Sequence, residues 1–422
     1  MTGVREAITP MRNLLAKRTG VRVVLMLCAA EIWGAMIQAA QPIAVAVQEQ
    51  VGIRRFQYPV AVEVSLPEAV VRETQFRLIH DGTPVLAQVR PAQVGAAVTR
   101  WWLDFPVDLL PYESAIYELQ YGPVVTPGPC LKQGHKLIQR ADEFRIANDP
   151  HIVWTVSRDL AGLLSSVRAG ELEYLRVGIS SGLQLCDGDG RQYAIGGRGS
   201  RPTVNVTRDG PLAVGLGFEF RETLPGAHST VDLTFPVFKS WVEVDWRIDD
   251  PLRRVAGARA GLNVNLDPPV HVPTLVDFGT TGLVYLSLGP GQESQLQAGA
   301  GAWQVLRGQS GRLEPFVAGP KQPGLHAPPE GWTHVMDRRR CLAAAVDDFA
   351  VGGNDHLSVS ADGHVELRRS FSATRTSAAK RLRFWLHFVP FPPQETAATS
   401  PQAMQNPVIA RVRIAGASET AR

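Results

Sequence analysis

The densest run of chemically capable side chains is Gly331–Arg340, which reads Gly-Trp-Thr-His-Val-Met-Asp-Arg-Arg-Arg. It sets an indole, an imidazole, a carboxylate and guanidinium groups within ten positions. An indole offers a flat face to the CH-rich side of a pyranose ring, and guanidinium forks grip carboxylates or hydroxyls. Trp332 and Arg338 are therefore the candidate sugar-binding residues. If the chemistry is β-elimination at a uronic acid, it needs a cation on the carboxylate, a base for the C5 proton and an acid for the leaving oxygen. Arg339 would clamp the carboxylate, His334 would act as base and Asp337 would orient it. In a strand, residues 337 and 339 share a face while 334 does not, so His334 requires a bulge or bend to join them. The competing reading of the window is an amphipathic strand with one buried tryptophan.

Other motifs carry less. Gly178–Gly182 matches G-x-S-x-G, but a nucleophile elbow needs a helix after the serine, and Leu183–Gln184–Leu185 reads as a strand. Asp187–Gly190 has the acids of a calcium loop at its start, yet Arg191 and Arg198 stand where further ligands are required, so it reads as a hairpin turn. The histidines show no H-E-x-x-H or H-x-H pattern. No metal site and no cofactor are expected, with calcium left open. Cys130, Cys186 and Cys341 are widely spaced and odd in number, which supports buried thiols; one disulfide among the three stays open. Trp101, Trp154, Trp241, Trp246, Trp303 and Trp385 are expected in the core.

The elements that position these residues follow a period of two. Val60, Val62 and Val64 alternate with Ala61, Glu63 and Ser65, and Trp241–Trp246 and Leu382–Phe388 alternate in the same way. Asp81–Gly82 lies between Phe76–Ile79 and Val85–Val89 as a hairpin signal, and Asp187–Gly190 between Leu183–Leu185 and Gln192–Ile195. The pattern predicts an all-β chain: a small β-sandwich over 51–125, a Pro-Gly-Pro linker at residues 127–129, a large antiparallel supersandwich over 137–390, and a frayed tail over 391–422.

With 422 residues, 45% hydrophobic and 20% charged, the chain has the makeup of a globular protein. Its 39 glycines and 31 prolines suit frequent turns, and a net charge of +3 without a basic stripe argues against nucleic acid. Residues 1–41 pair a basic stretch (Arg12, Lys17, Arg18, Arg22) with an apolar one, ending in Ala39–Ala40. That is the pattern of an N-terminal signal helix for export, with an uncleaved anchor or a buried helix as the alternatives. An anchor would be the only membrane contact. The expected location is periplasmic, secreted or at the cell envelope.

Phe76–Gln88, with its Asp-Gly-Thr-Pro-Val-Leu-Ala-Gln phrase, is followed by Thr99–Phe105 and Ser114–Gly122. Together these resemble the N-terminal module of the exo-rhamnogalacturonan lyase family. Asp209–Leu212, Gly331–His334 and Asp337–Arg340 are similar to that family's next domain, a galactose-mutarotase-like supersandwich. The likeness covers roughly residues 55–395. It implies a polysaccharide or oligosaccharide partner of pectin type. Full family members continue into a helical toroid; no amphipathic helical repeat is seen here, so no catalytic residue is carried over. Three functions follow as expectations: a carbohydrate-active protein related to polysaccharide lyases, a non-catalytic binding or scaffolding protein of the envelope, and a mutarotase-like epimerase, which would need a His and a Glu facing each other in a cup.

Overall fold

The computed structural model describes residues 42–148, 151–176, 182–197, 199–280, 283–299, 302–309, 311–318, 329–351, 354–371, 378–390 and 400–414. The signal stretch 1–41 and the serine of the G-x-S-x-G match lie outside them. The chain is all-β, as its alternation predicts, and among the described residues one short helix, Pro401–Gln405, interrupts the strands. No described helix is long and apolar enough to cross a membrane.

Two hydrophobic clusters organise the strands. The smaller fills a sandwich of two sheets. One is five-stranded, with Ile43–Gln48 paired to both Ile409–Ile414 and Ser114–Tyr121. The other is three-stranded, built on the long pair Arg55–Val71 and Ala97–Leu109. Val45, Val64, Leu78, Leu103 and Leu119 are fully buried between them. The Asp81–Gly82 turn forms as its sequence dictates. His80 pairs with Thr83, and both turn residues take positive φ, at 47° and 74°.

The larger cluster is sandwiched between an eight-stranded and a nine-stranded antiparallel sheet, with a further five-stranded sheet beginning at Lys136–Gln139 packed on it. Val231, Leu233 and Phe235 point into this core while Asp232 and Thr234 point out, the strict alternation of a sheet buried on one side. The outer face of the nine-stranded sheet is in turn covered partly by the small sandwich. Trp241, Ala343, Ala345 and Trp385 leave that sheet on its outer side and join the smaller cluster.

Two features depart from expectation. Residues 400–414 do not fray. Arg55, 1% exposed, donates to the carbonyls of Ala403 (2.8 Å) and Asn406 (2.6 Å) and pairs with buried Glu49 at 3.0 Å. A buried guanidinium needs several acceptors, and the C-terminal turn supplies two of them. The small sandwich therefore draws in strands on both sides of the 51–125 stretch. Among the described residues no disulfide joins Cys130, Cys186 and Cys341; the last two are buried as expected, and Cys130 is exposed.

Candidate functional site: an aromatic cleft between the sandwiches

Where the small sandwich meets the nine-stranded sheet, the two surfaces leave a cleft of about 260 Å³. Its walls are aromatic, from Tyr58, Trp102 and Phe105 on one side and Phe238, Trp241 and Trp385 on the other. Its charged groups are Asp104, Arg208, Glu243 and Arg383. An apolar concavity with a few convergent polar groups is the usual form of a small-ligand site.

The register explains the convergence. Asp104 pairs across to Gln88 and Ala61 in the three-stranded sheet, which puts it on the face turned toward the large sandwich. Glu243 lies opposite both Thr234 and Trp385, and Arg383 opposite Asp245, so the far wall is three adjacent strands seen from outside. Arg208 reaches over from the strand Thr203–Arg208 to Asp104 at 3.2 Å, and Arg90 holds the same carboxylate at 2.5 Å. Gln88 locks the two walls. Its carbonyl accepts from the Leu212 N–H at 2.8 Å, and its amide donates to the Ala213 carbonyl at 3.3 Å. Gly210 leaves room for this contact, since a Cβ there would stand 2.3 Å from Gln88 Oε1.

Charge is held dry here. Burial pushes the Asp104 carboxyl up against the pull of Arg208 and Arg90, and burial brings Arg90 down to about 10. Glu243 is bridged by Arg383 at 2.7 Å. Each of two indoles carries a guanidinium over its ring, Arg208 on Trp102 and Arg383 on Trp385, both at 4.8 Å. These stacks fix donor forks at the cleft mouth. Gln57 and Phe238, on opposite sides, have φ of 43° and 64°. Left-handed backbone at bulky residues is strained and gathers at functional sites. Lys239, next to Phe238, donates to the Phe56 carbonyl at 2.9 Å, and burial lowers its ammonium to about 8.

The Gly331–Arg340 window lies elsewhere. Trp332 is half-buried against the small-sandwich cluster. Its indole donates to Glu330 at 2.6 Å, and it covers Gly279, where a Cβ would sit 2.2 Å from the ring. His334 is buried, and its Nδ1 is 2.7 Å from Asp277 Oδ1. Its orienting carboxylate is thus Asp277 on a neighbouring strand, not Asp337. Asp337 instead caps a turn, accepting the backbone N–H groups of Arg339 and Arg340 (2.7 Å each) and of Asp267 (2.9 Å), and pairing with Arg340 at 2.5 Å. Arg339 reaches Asp267 at 2.7 Å, and Arg338 is exposed on the turn. So His334, Asp337 and Arg339 are not brought together. His334 does share a transverse row with Ala343, His387 and Trp241, and it lies two strand spacings, or roughly 10 Å, from the strand that carries Trp385 of the cleft wall. Among the described residues, no group of three or more His, Cys, Asp or Glu is placed to hold a metal ion. Asp187 serves its hairpin, accepting the N–H groups of Asp189 and Arg191.

Of the cleft aromatics, Trp241 and Trp385 read as core in the sequence, and both are only 2% exposed. The signal for the site lay in other residues. Trp102, Asp104, Phe105, Gln88 and Leu212 belong to the phrases that carry the family resemblance, and folding brings those separate phrases to one cleft.

No known family and no curated protein matches the chain. Solved structures do. A glycosyl hydrolase family 38 protein from Enterococcus faecalis superposes with a TM-score of 0.56 at 10% identity, over 95% of this chain and 52% of that one. An α-mannosidase from Enterococcus faecalis V583 gives 0.56 at 10% identity, over 94% and 49%. The chain spans about half the length of these proteins, and the likeness is one of fold. A galactose mutarotase-like protein from Lactobacillus casei ATCC 334 overlaps 61% of this chain and all of its own, at 13% identity and a TM-score of 0.33. That superposition is too loose to carry an argument.

Proposed function

We propose that this chain binds a saccharide unit of a polysaccharide or oligosaccharide in the cleft between its sandwiches. The observation that carries the reading is the composition of that cleft: indole walls, two carboxylates and two stacked guanidinium forks in a space sized for a monosaccharide residue. Aromatic surface stacks on CH faces, and charged groups bond hydroxyls with fixed direction. The shared fold with an α-mannosidase agrees with this partner class.

Binding without turnover is the form the geometry favours. The carboxylates of the cleft are tied in ion pairs. The His334 imidazole, oriented by Asp277, stands too far along the sheet to act on a sugar held in the cleft. A lyase acting on pectin-type chains is the second reading. It rests on the family resemblance together with that Asp277–His334 pair, which has the form of an oriented base. We further propose an exported, envelope-associated location, from the N-terminal stretch.

The test is a glycan array probed with the full chain, followed by calorimetry on the strongest glycan with wild type and Trp102→Ala. Trp102 is only half-buried, so the variant is expected to fold and to lose about tenfold or more in affinity. Unchanged affinity in a folded variant would remove the cleft from the account. An absorbance assay for unsaturated uronides separates the two readings: steady product formation establishes the lyase, and silence with retained binding establishes the binder.

A further inference from the structure

On the far side of the molecule, the outer face of the eight-stranded sheet carries a second polar surface. Strand register places Gln184, Arg259, Arg368, His356, Gln297 and Gln304 side by side on six consecutive strands. At strand spacing the row is about 24 Å long. Its amides are chained. Gln304 donates to Gln297 at 3.0 Å, Gln297 to Gln295 at 2.7 Å, and Gln295 lies 3.1 Å from His356 Nδ1.

Arg259 and Arg368 stand directly opposite each other, and like charges so placed repel. One carboxylate, Glu366, pairs with Arg259. Arg259 Nε is buried and has no acceptor, and among the described residues no carboxylate lies within ion-pair distance of Arg368. Beside the two guanidiniums is a recess of about 470 Å³ lined also by Cys186, Asp187, Gln192 and Ser370. Asp187 is held by its own hairpin and by the Tyr193 hydroxyl, so the site offers an exposed guanidinium, Arg368, with no described carboxylate paired to it, room beside it, and a track of hydroxyl-compatible amides leading away from it.

We propose that this face is a second saccharide site, with a seat for a sugar-borne carboxylate at Arg259 and Arg368 and the glutamine row holding the hydroxyls of the units that follow. The carboxylate takes a fork of Arg368 and lies beside the Arg259 guanidinium, and it relieves the repulsion between them. Glu366 competes with the ligand for Arg259.

Calorimetry of the full chain with trigalacturonate tests this, with maltotriose as the neutral comparison and acetate as the free carboxylate. Trigalacturonate should bind with an affinity that falls as salt rises, at least tenfold more tightly than maltotriose. Arg368→Gln, at an exposed position, should lose about 10–100-fold. Glu366→Gln, which frees Arg259, should gain several-fold, a change that a purely structural role would not produce. Equal binding of the two trisaccharides, or unchanged affinity in Arg368→Gln, overturns the proposal. So does acetate displacing trigalacturonate on equal terms, because the seat would then take any small carboxylate and not a sugar acid.

Discussion

Burial of His135 makes the protein sensitive to acid. Its ring is 5% exposed and packs edge-on against Trp154, with centroids 5.5 Å apart, behind the wall that Leu212 and Pro236 give to the cleft. Burial lowers its pKa from 6.5 to about 4, outweighing the Pro236 carbonyl, which favours the protonated form. Above pH 6.5 the ring is neutral in both the folded and the unfolded chain, and its contribution is fully present. Between pH 6.5 and 4 the unfolded chain takes up a proton that the folded chain refuses, so stability falls with falling pH. A shift of 2.5 pH units at about 1.36 kcal/mol each gives a loss of about 3 kcal/mol across that window. His135→Phe keeps the ring packing and removes the titration. Urea unfolding of both proteins at pH 7, 5.5 and 4 measures the difference. The variant should lose about 3 kcal/mol less than wild type between pH 7 and 4. Parallel losses in the two proteins, or an imidazole that titrates near 6.5 by NMR, would rule out burial of His135 as the cause.

Three further outcomes follow from the packing. Arg55→Met leaves Glu49 buried without its cation and frees two C-terminal carbonyls, so it should cost about 3–5 kcal/mol and expose residues 400–414 to limited proteolysis, read by denaturation and mass spectrometry. Gly210→Ala forces a methyl group onto Gln88 Oε1, breaking the bond that joins the two cleft walls; a cost of about 1–3 kcal/mol and weaker glycan binding are expected, with Gln88→Ala giving the same pattern. Gly279→Ala drives a Cβ into the Trp332 ring, which should lower the melting temperature and shift tryptophan emission without altering cleft affinity.

Much of the fold is legible in the residues because a sheet buried on one side writes its period into the sequence. Val60, Val62 and Val64 announce their strand, and Asp81–Gly82 announces its turn, since few residues adopt positive φ cheaply. The C-terminal strand was hidden because its partner is Ile43–Gln48, far away in sequence, and its anchor is a single buried arginine. The site was legible only in part. Residue types drew attention to Gly331–Arg340, but type does not say what a side chain is already bonded to. Asp337 is occupied by three backbone N–H groups, and His334 takes its carboxylate from residue 277. Tyr58, Asp104, Arg208, Glu243 and Trp385 converge only once two sandwiches dock, and no local periodicity encodes that docking.

The most direct test is a crystal structure of the full chain soaked with the glycan that gives the strongest array signal. A sugar ring should lie in the cleft against Trp102, with hydroxyls on Glu243 and Arg208. Well-ordered sugar over Trp332 and His334, with the cleft left unoccupied, would contradict it.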